Sequence, residues 1–125
     1  MLNIGVIGYG YWGPNIVRNF NGIDNARVVS LCDLNDGVLG KAKKLYPALS
    51  TTTDPSDVLS SKDIDAVAII TPVFTHFDLA KKALENGKHV FVEKPFTSTV
   101  AQAEELVELA DKKNLKIIKS TACFH

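Results

Sequence analysis

Ile4-Gly5-Val6-Ile7-Gly8-Tyr9-Gly10-Tyr11-Trp12-Gly13-Pro14-Asn15 is an apolar run that breaks into glycines and then resumes as a helical pattern. It predicts a strand from Leu2 to Ile7, a tight turn and a helix start. Gly8-x-Gly10-x-x-Gly13 has the spacing of a turn that grips a dinucleotide: the first glycine permits the bend, the second admits the pyrophosphate, and the third allows close helix–strand packing. Free N–H groups and the positive end of the helix dipole then face the phosphates. Glycine-rich turns also serve purely structural connections, so the context decides. Pro14 stands at an early helical position, where a missing N–H is tolerated. Asp33 closes the next apolar run, Ala26 to Asp33, twenty residues after Gly13, where an acidic side chain meets the ribose hydroxyls.

The 125 residues make one dinucleotide-binding domain, residues 1–125, long enough to bury about two thirds of its unfolded surface. Fourteen basic residues balance fourteen acidic ones without a block of like charge, which argues against nucleic acid or anionic membrane as a partner. Small molecules or protein remain. The N-terminus enters a strand at once and no apolar run reaches membrane-spanning length, so a cytoplasmic, soluble protein is expected. Cys32 and Cys123 form no CxxC pair, which suggests neither a disulfide framework nor a metal site.

Along the chain, Ile16, Val17 and Phe20 mark one face of a short helix that ends near Asn21-Gly22. Asn35 is a cap for a helix to about Tyr46, with Val38, Leu39, Ala42 and Leu45 inward and Lys41, Lys43 and Lys44 on a solvated face. Ala48 to Thr52 is a short third strand, and Asp54-Pro55 opens a brief helix ending around Ser60. Asp65 to Ile70 is a continuous apolar run, as expected of a parallel strand covered on both faces. A helix from about Thr75 to Asn86 follows, with Phe77, Ala80, Ala83 and Leu84 as its buried stripe and Gly87 as its stop. His89 to Val92 is the fifth strand. Ser98 precedes a long helix with Val100, Ala103, Leu106, Val107 and Ala110 on one face, and Lys116 to Ser120 is the sixth strand.

This alternation implies a doubly wound α/β (Rossmann) parallel sheet of about six strands in the order 3-2-1-4-5-6, with helices on both faces. Ligands of such sheets sit beyond the carboxyl ends of the strands. The unusual residues stand there: the glycine turn, Asp33, Thr71-Pro72 and Glu93-Lys94-Pro95. Asp33 can accept hydrogen bonds from both adenosine ribose hydroxyls and would repel a 2′-phosphate, and Leu34 and Asn35 follow it instead of an arginine. NAD is therefore expected over NADP. Asp33 can also be read as a cap for the turn before Asn35. The N–H groups of Tyr11 and Trp12 fall where a pyrophosphate would be cradled. Cys32 and His89 read as ordinary strand-end and strand-start residues.

The glycine turn, Thr71-Pro72 with His76 four residues beyond the proline, and Glu93-Lys94-Pro95 after strand five together resemble the N-terminal domain of the Gfo/Idh/MocA oxidoreductases. The run from Gly8 to Asn15 looks most like members acting on nucleotide-linked sugars and sugar acids. The resemblance implies cofactor contacts at Gly8, Gly10, Tyr11, Trp12, Gly13 and Asp33, with Thr71, Pro72 and His76 against the nicotinamide half and Glu93 and Lys94 beside it. It implies an oxidoreductase that moves hydride between nicotinamide and a secondary hydroxyl of a sugar, polyol or sugar nucleotide. Lys94 would then be the catalytic residue. A cationic nicotinamide and partial desolvation both lower an ammonium's pKa toward the range useful for proton transfer. Orienting cofactor or substrate is the other role open to Lys94. Family members continue into an α+β substrate domain, which carries most of the subunit interface and which is not expected within these 125 residues. The chain alone is therefore expected to bind nucleotide with little or no turnover, and it can self-associate through faces that a second domain would cover. A stand-alone nucleotide-binding module or partner-dependent subunit is the alternative.

Overall fold

The computed structural model describes residues 1–10, 13–93 and 96–119. Strands β1 (Leu2–Ile7), β2 (Ala26–Cys32), β3 (Ser50–Thr52), β4 (Ala66–Ile69), β5 (His89–Val92) and β6 (Ile117–Lys119) form one sheet in the order β3-β2-β1-β4-β5-β6. Every neighbouring pair is parallel. The doubly wound order expected from the sequence is the order found. Between the strands run α1 (Gly13–Asn21), α2 (Asp36–Leu45), α3 (Pro55–Leu59), α4 (His76–Glu85) and α5 (Val100–Lys113), and a 3₁₀ turn (Val73–Thr75) leads into α4.

The sheet separates two apolar cores. On one face Ile4, Val6 and Leu31 pack with Ile16 and Val17 of α1 and Leu39 and Ala42 of α2. On the other, Ile7, Val67 and Ile69 meet Val58 of α3, Leu84 of α4 and Leu106 of α5. Alternation along each strand, with every second side chain on the same face, makes this division. It also explains the continuous apolar run of β4, which has no solvent face.

Local chemistry sets the helix starts. The Asn35 side chain accepts from the N–H of Gly37 at 2.9 Å and of Val38 at 3.2 Å. Asp54 accepts from Ser56 N at 2.9 Å, with Pro55 in the first turn. Both are the caps that the sequence predicts. For α5 the cap is Thr99, which accepts from Gln102 N at 3.1 Å, one residue beyond the expected Ser98.

Three apolar side chains assigned inward are exposed: Leu45, Val100 and Val107. Leu45 is the last residue of α2, where the helix leaves the sheet. The buried stripe of α5 runs instead through Leu106 and Ala110 with Leu109 packed beside them, a rotation that turns Val100 and Val107 to solvent. β3 is shorter than predicted because pairing to β2 covers only Ser50 to Thr52. Ser120, placed in the sixth strand, lies outside the described residues. Among the described residues no helix is long and apolar enough to cross a membrane.

Candidate functional site

At the carboxyl ends of the strands a cavity of about 580 Å³ is lined by Gly8, Tyr9 and Gly10, by Asp33 and Leu34, and by Thr71 and Pro72. Parallel strands leave their connecting loops together at this edge, which is how segments distant in sequence converge. Gly8 has φ +94°, and its N–H donates to Cys32 O at 2.8 Å. A Cβ there would lie 2.7 Å from the carbonyl oxygen of Ile70, so only glycine fits between the ends of β2 and β4. Gly10 has φ +30°, and among the described residues nothing beyond its chain neighbours lies within 4 Å of where its Cβ would be. Backbone is thus presented to open space at the second glycine, a cradle that a side chain would fill.

Gly13, the first residue of α1, has a different neighbour from the one expected. A Cβ on it would come within 2.9 Å of the Tyr9 ring, so the third glycine makes room for Tyr9. Close helix–strand packing is supplied by Gly5 in β1, whose Cβ would lie 2.4 Å from Val58 Cγ1 in α3. Burial, then the charge of Tyr46, holds the Tyr9 phenol above its ordinary pKa.

Asp33 ties the loops together. Its Oδ2 accepts from Tyr9 N at 2.9 Å and its Oδ1 from Asn35 N at 2.8 Å. The two readings of this residue are therefore compatible: it caps the turn before Asn35 and still stands in the cavity wall with acceptor sites to spare. Cys32, just before it, is buried, and its thiol is pushed up to about 11 by burial and then by Asp33, Asp54 and Asp57. It stays protonated at neutral pH and is no nucleophile.

Thr71 and Pro72 line the cavity from the end of β4. Thr71 Oγ1 and Thr75 Oγ1 are 2.5 Å apart, and Thr75 Oγ1 donates to Pro72 O at 2.6 Å, which fixes the 3₁₀ turn. His76 is 2% exposed and is not in the cavity wall. Its Nε2 lies 2.7 Å from Thr71 O and its Nδ1 3.1 Å from Phe96 O, so the ring braces the end of β4 against the segment after Glu93-Lys94-Pro95. Glu93 N donates to Ile69 O at 3.4 Å just past the end of β5, and Glu93 too stands apart from the cavity lining. Tyr11, Trp12 and Lys94 lie outside the described residues, as do Pro95, Cys123 and His125.

Sequence reasoning missed Pro55, Phe74, Asp78 and Leu79, all in the cavity wall. The place of Phe74, Asp78 and Leu79 just after a strand end was the available signal. Among the described lining residues the carboxylates are Asp33 and Asp78, and none is a lysine or arginine. No group of three or more His, Cys, Asp or Glu able to hold a metal ion occurs among the described residues.

A family model described as "Oxidoreductase family, NAD-binding Rossmann fold" matches residues 2–120. The chain belongs to the Gfo/Idh/MocA oxidoreductase family. It is 38% identical over 109 residues to the uncharacterized oxidoreductase YdgJ of Escherichia coli (strain K12), covering 87% of this chain and 31% of that protein. It is 35% identical over 119 residues to glycosyl hydrolase family 109 protein 2 of Shewanella sp. (strain ANA-3), covering 88% of this chain and 26% of that one. Among solved structures, apo scyllo-inositol dehydrogenase from Lactobacillus casei superposes with a TM-score of 0.88 at 30% identity, over 96% of this chain and 36% of that chain. The sequence thus spans about a quarter to a third of the curated relatives it matches. As a Gfo/Idh/MocA member it has the NAD(P)-binding Rossmann fold of an oxidoreductase.

Proposed function

We propose that this Gfo/Idh/MocA domain binds NAD in preference to NADP and serves an oxidoreductase acting on a secondary hydroxyl of a sugar or polyol. The observation that carries the cofactor reading is Asp33, held by Tyr9 N and Asn35 N in the wall of a cavity whose described lining has no cation. A 2′-phosphate there meets a fixed carboxylate and no compensating charge, whereas ribose hydroxyls find acceptors. Gly8 and Gly10 supply backbone for the pyrophosphate cradle, and the N–H groups of Tyr11, Trp12 and Gly13 are its further expected partners. Thr71 and Pro72 flank the nicotinamide half.

Bound nicotinamide supplies the hydride acceptor. Lys94 then has two chemically distinct roles available: taking the hydroxyl proton as a general base, or holding the hydroxyl in line. Because His76 braces the chain at Phe96, two residues past Lys94, and Glu93 holds it to β4, both sides of the lysine are anchored. His76 and Glu93 thus support the nicotinamide end from behind the cavity wall. The sugar or polyol class is supported by the relatives: one carries a glycosyl hydrolase name and one is an inositol dehydrogenase. In those longer proteins further chain accompanies the domain, and hydride transfer by this protein calls for an equivalent substrate-holding part, whether in the same chain or in a partner.

The test is a titration with NADH and with NADPH, following Trp12, the only tryptophan. Saturable quenching that is tighter for NADH and weakened in Asp33→Ala is expected. Equal or tighter binding of NADPH would overturn the preference, and no binding of either would overturn the cofactor reading.

A further inference from the structure

Leu34 and Phe74 are the most exposed large apolar side chains among the described residues, at 86% and 75%. Both line the cavity that Asp33 shares with the glycine turn. A single exposed leucine needs no explanation, but two such side chains at one cavity, from the loops after β2 and β4, offer apolar surface to a flat ligand. Leu79 adds to that surface, and Asp78 in the first turn of α4 adds a carboxylate. Asp78 makes no hydrogen bond or ion pair among the described residues, since the ammonium one turn along, Lys81, is bound to Glu105 at 3.0 Å.

An ionised carboxylate only accepts hydrogen bonds. Asp78 lines the same cavity as Leu34 and Phe74, so a ring covered by those two side chains gains a hydrogen bond only if it brings a donor to Asp78. Leu34 directly follows Asp33, the ribose-binding residue of the proposed site, so the ring beside it is the base of the adenosine half. Adenine carries an exocyclic amine, whereas hypoxanthine presents a carbonyl oxygen at that position. We infer that Asp78 accepts a hydrogen bond from the exocyclic amine of the cofactor's adenine, whose faces Leu34 and Phe74 cover. This rests on the dinucleotide reading above, and it makes Asp78 the residue that selects the base.

The experiment is calorimetric titration of the full chain with NADH and with its hypoxanthine analogue. NADH is expected to bind tighter by about fivefold or more, the effect of one hydrogen bond to a charged acceptor near the surface. Asp78→Asn should bring the ratio to within about twofold, because an amide can turn either its oxygen or its NH₂ toward the ring. Phe74→Ala should weaken both ligands alike and keep the ratio. A wild-type ratio near one, or a ratio unchanged in Asp78→Asn, would overturn the inference while leaving NADH binding intact. Failure of NADH to bind at all would sink the cofactor reading and this inference together. Asp78 is exposed, so the variant should melt as the parent does, and a matched thermal melt keeps the comparison valid.

Discussion

Asp33 and Lys88 show how position decides what a charged side chain does. Asp33 sits at the carboxyl end of β2 with two backbone N–H partners, so removing it loosens the glycine turn as well as a ribose contact. Asp33→Asn keeps one acceptor oxygen and the shape but loses the charge. It should weaken NADH by several-fold and narrow the NADH/NADPH gap by about tenfold, measured by the titration above. Lys88 lies at the other end of the sheet, buried, donating to Ser61 O at 2.5 Å and Ile64 O at 2.9 Å. Burial pulls its pKa below that of an ordinary lysine, against the opposing charge of Asp65. Lys88→Ala would take the ammonium donor from Ile64 O, leave Ser61 O with only the longer bond from Ile64 N at 3.4 Å, and open a void. A loss of about 2 kcal/mol in chemical denaturation is expected, with NADH affinity unchanged in the folded fraction. Nothing in the sequence distinguished Lys88 from the surface lysines. Its burial follows from the packing of the 61–64 loop, which local pattern does not encode.

The helices record which sequence signals are local and which are not. Asn35 and Asp54 were legible because a cap is a contact between residues two or three apart. The roll of α5 was not, because Val100, Ala103, Leu106, Val107 and Ala110 allow more than one apolar face, and α4 together with the sheet edge decides between them. The glycines divide in the same way. Gly8 and Gly10 were read from the motif, yet the close approach expected of Gly13 belongs to Gly5, where Val58 of α3 lies too near for any Cβ. Gly5→Ala must push α3 off β1 and should cost about 1 to 3 kcal/mol, read as a lower melting temperature with the glycine turn chemically intact. Thr99→Ala, which removes the cap of α5, should cost about 1 kcal/mol, and Thr99→Ser should restore most of it.

Over the whole molecule, the alkaline limit of stability provides a check on how dry the site's floor is. The Cys32 thiol, raised to about 11, keeps its proton in the folded chain at pH values where the same thiol in the unfolded chain has lost it. The folded state therefore binds more protons in the window from about 9 to about 11, and stability falls as pH rises through it. Lys88 acts with the opposite sign. Its lowered pKa means that the unfolded chain holds the extra proton just below an ordinary lysine's pKa, so stability rises with pH there. The two slopes oppose each other in one chain, and a variant separates them. Cys32→Ala removes only the falling contribution, so its stability relative to the parent should improve by about 2 to 3 kcal/mol between pH 8.5 and pH 11.5, two pKa units' worth. Paired urea titrations across that range measure the difference directly, cancelling the titrations that both proteins share. A flat difference would mean that the thiol meets water at the end of β2. The floor beneath Asp33 would then be wet, and the carboxylate's grip on a ribose correspondingly weaker.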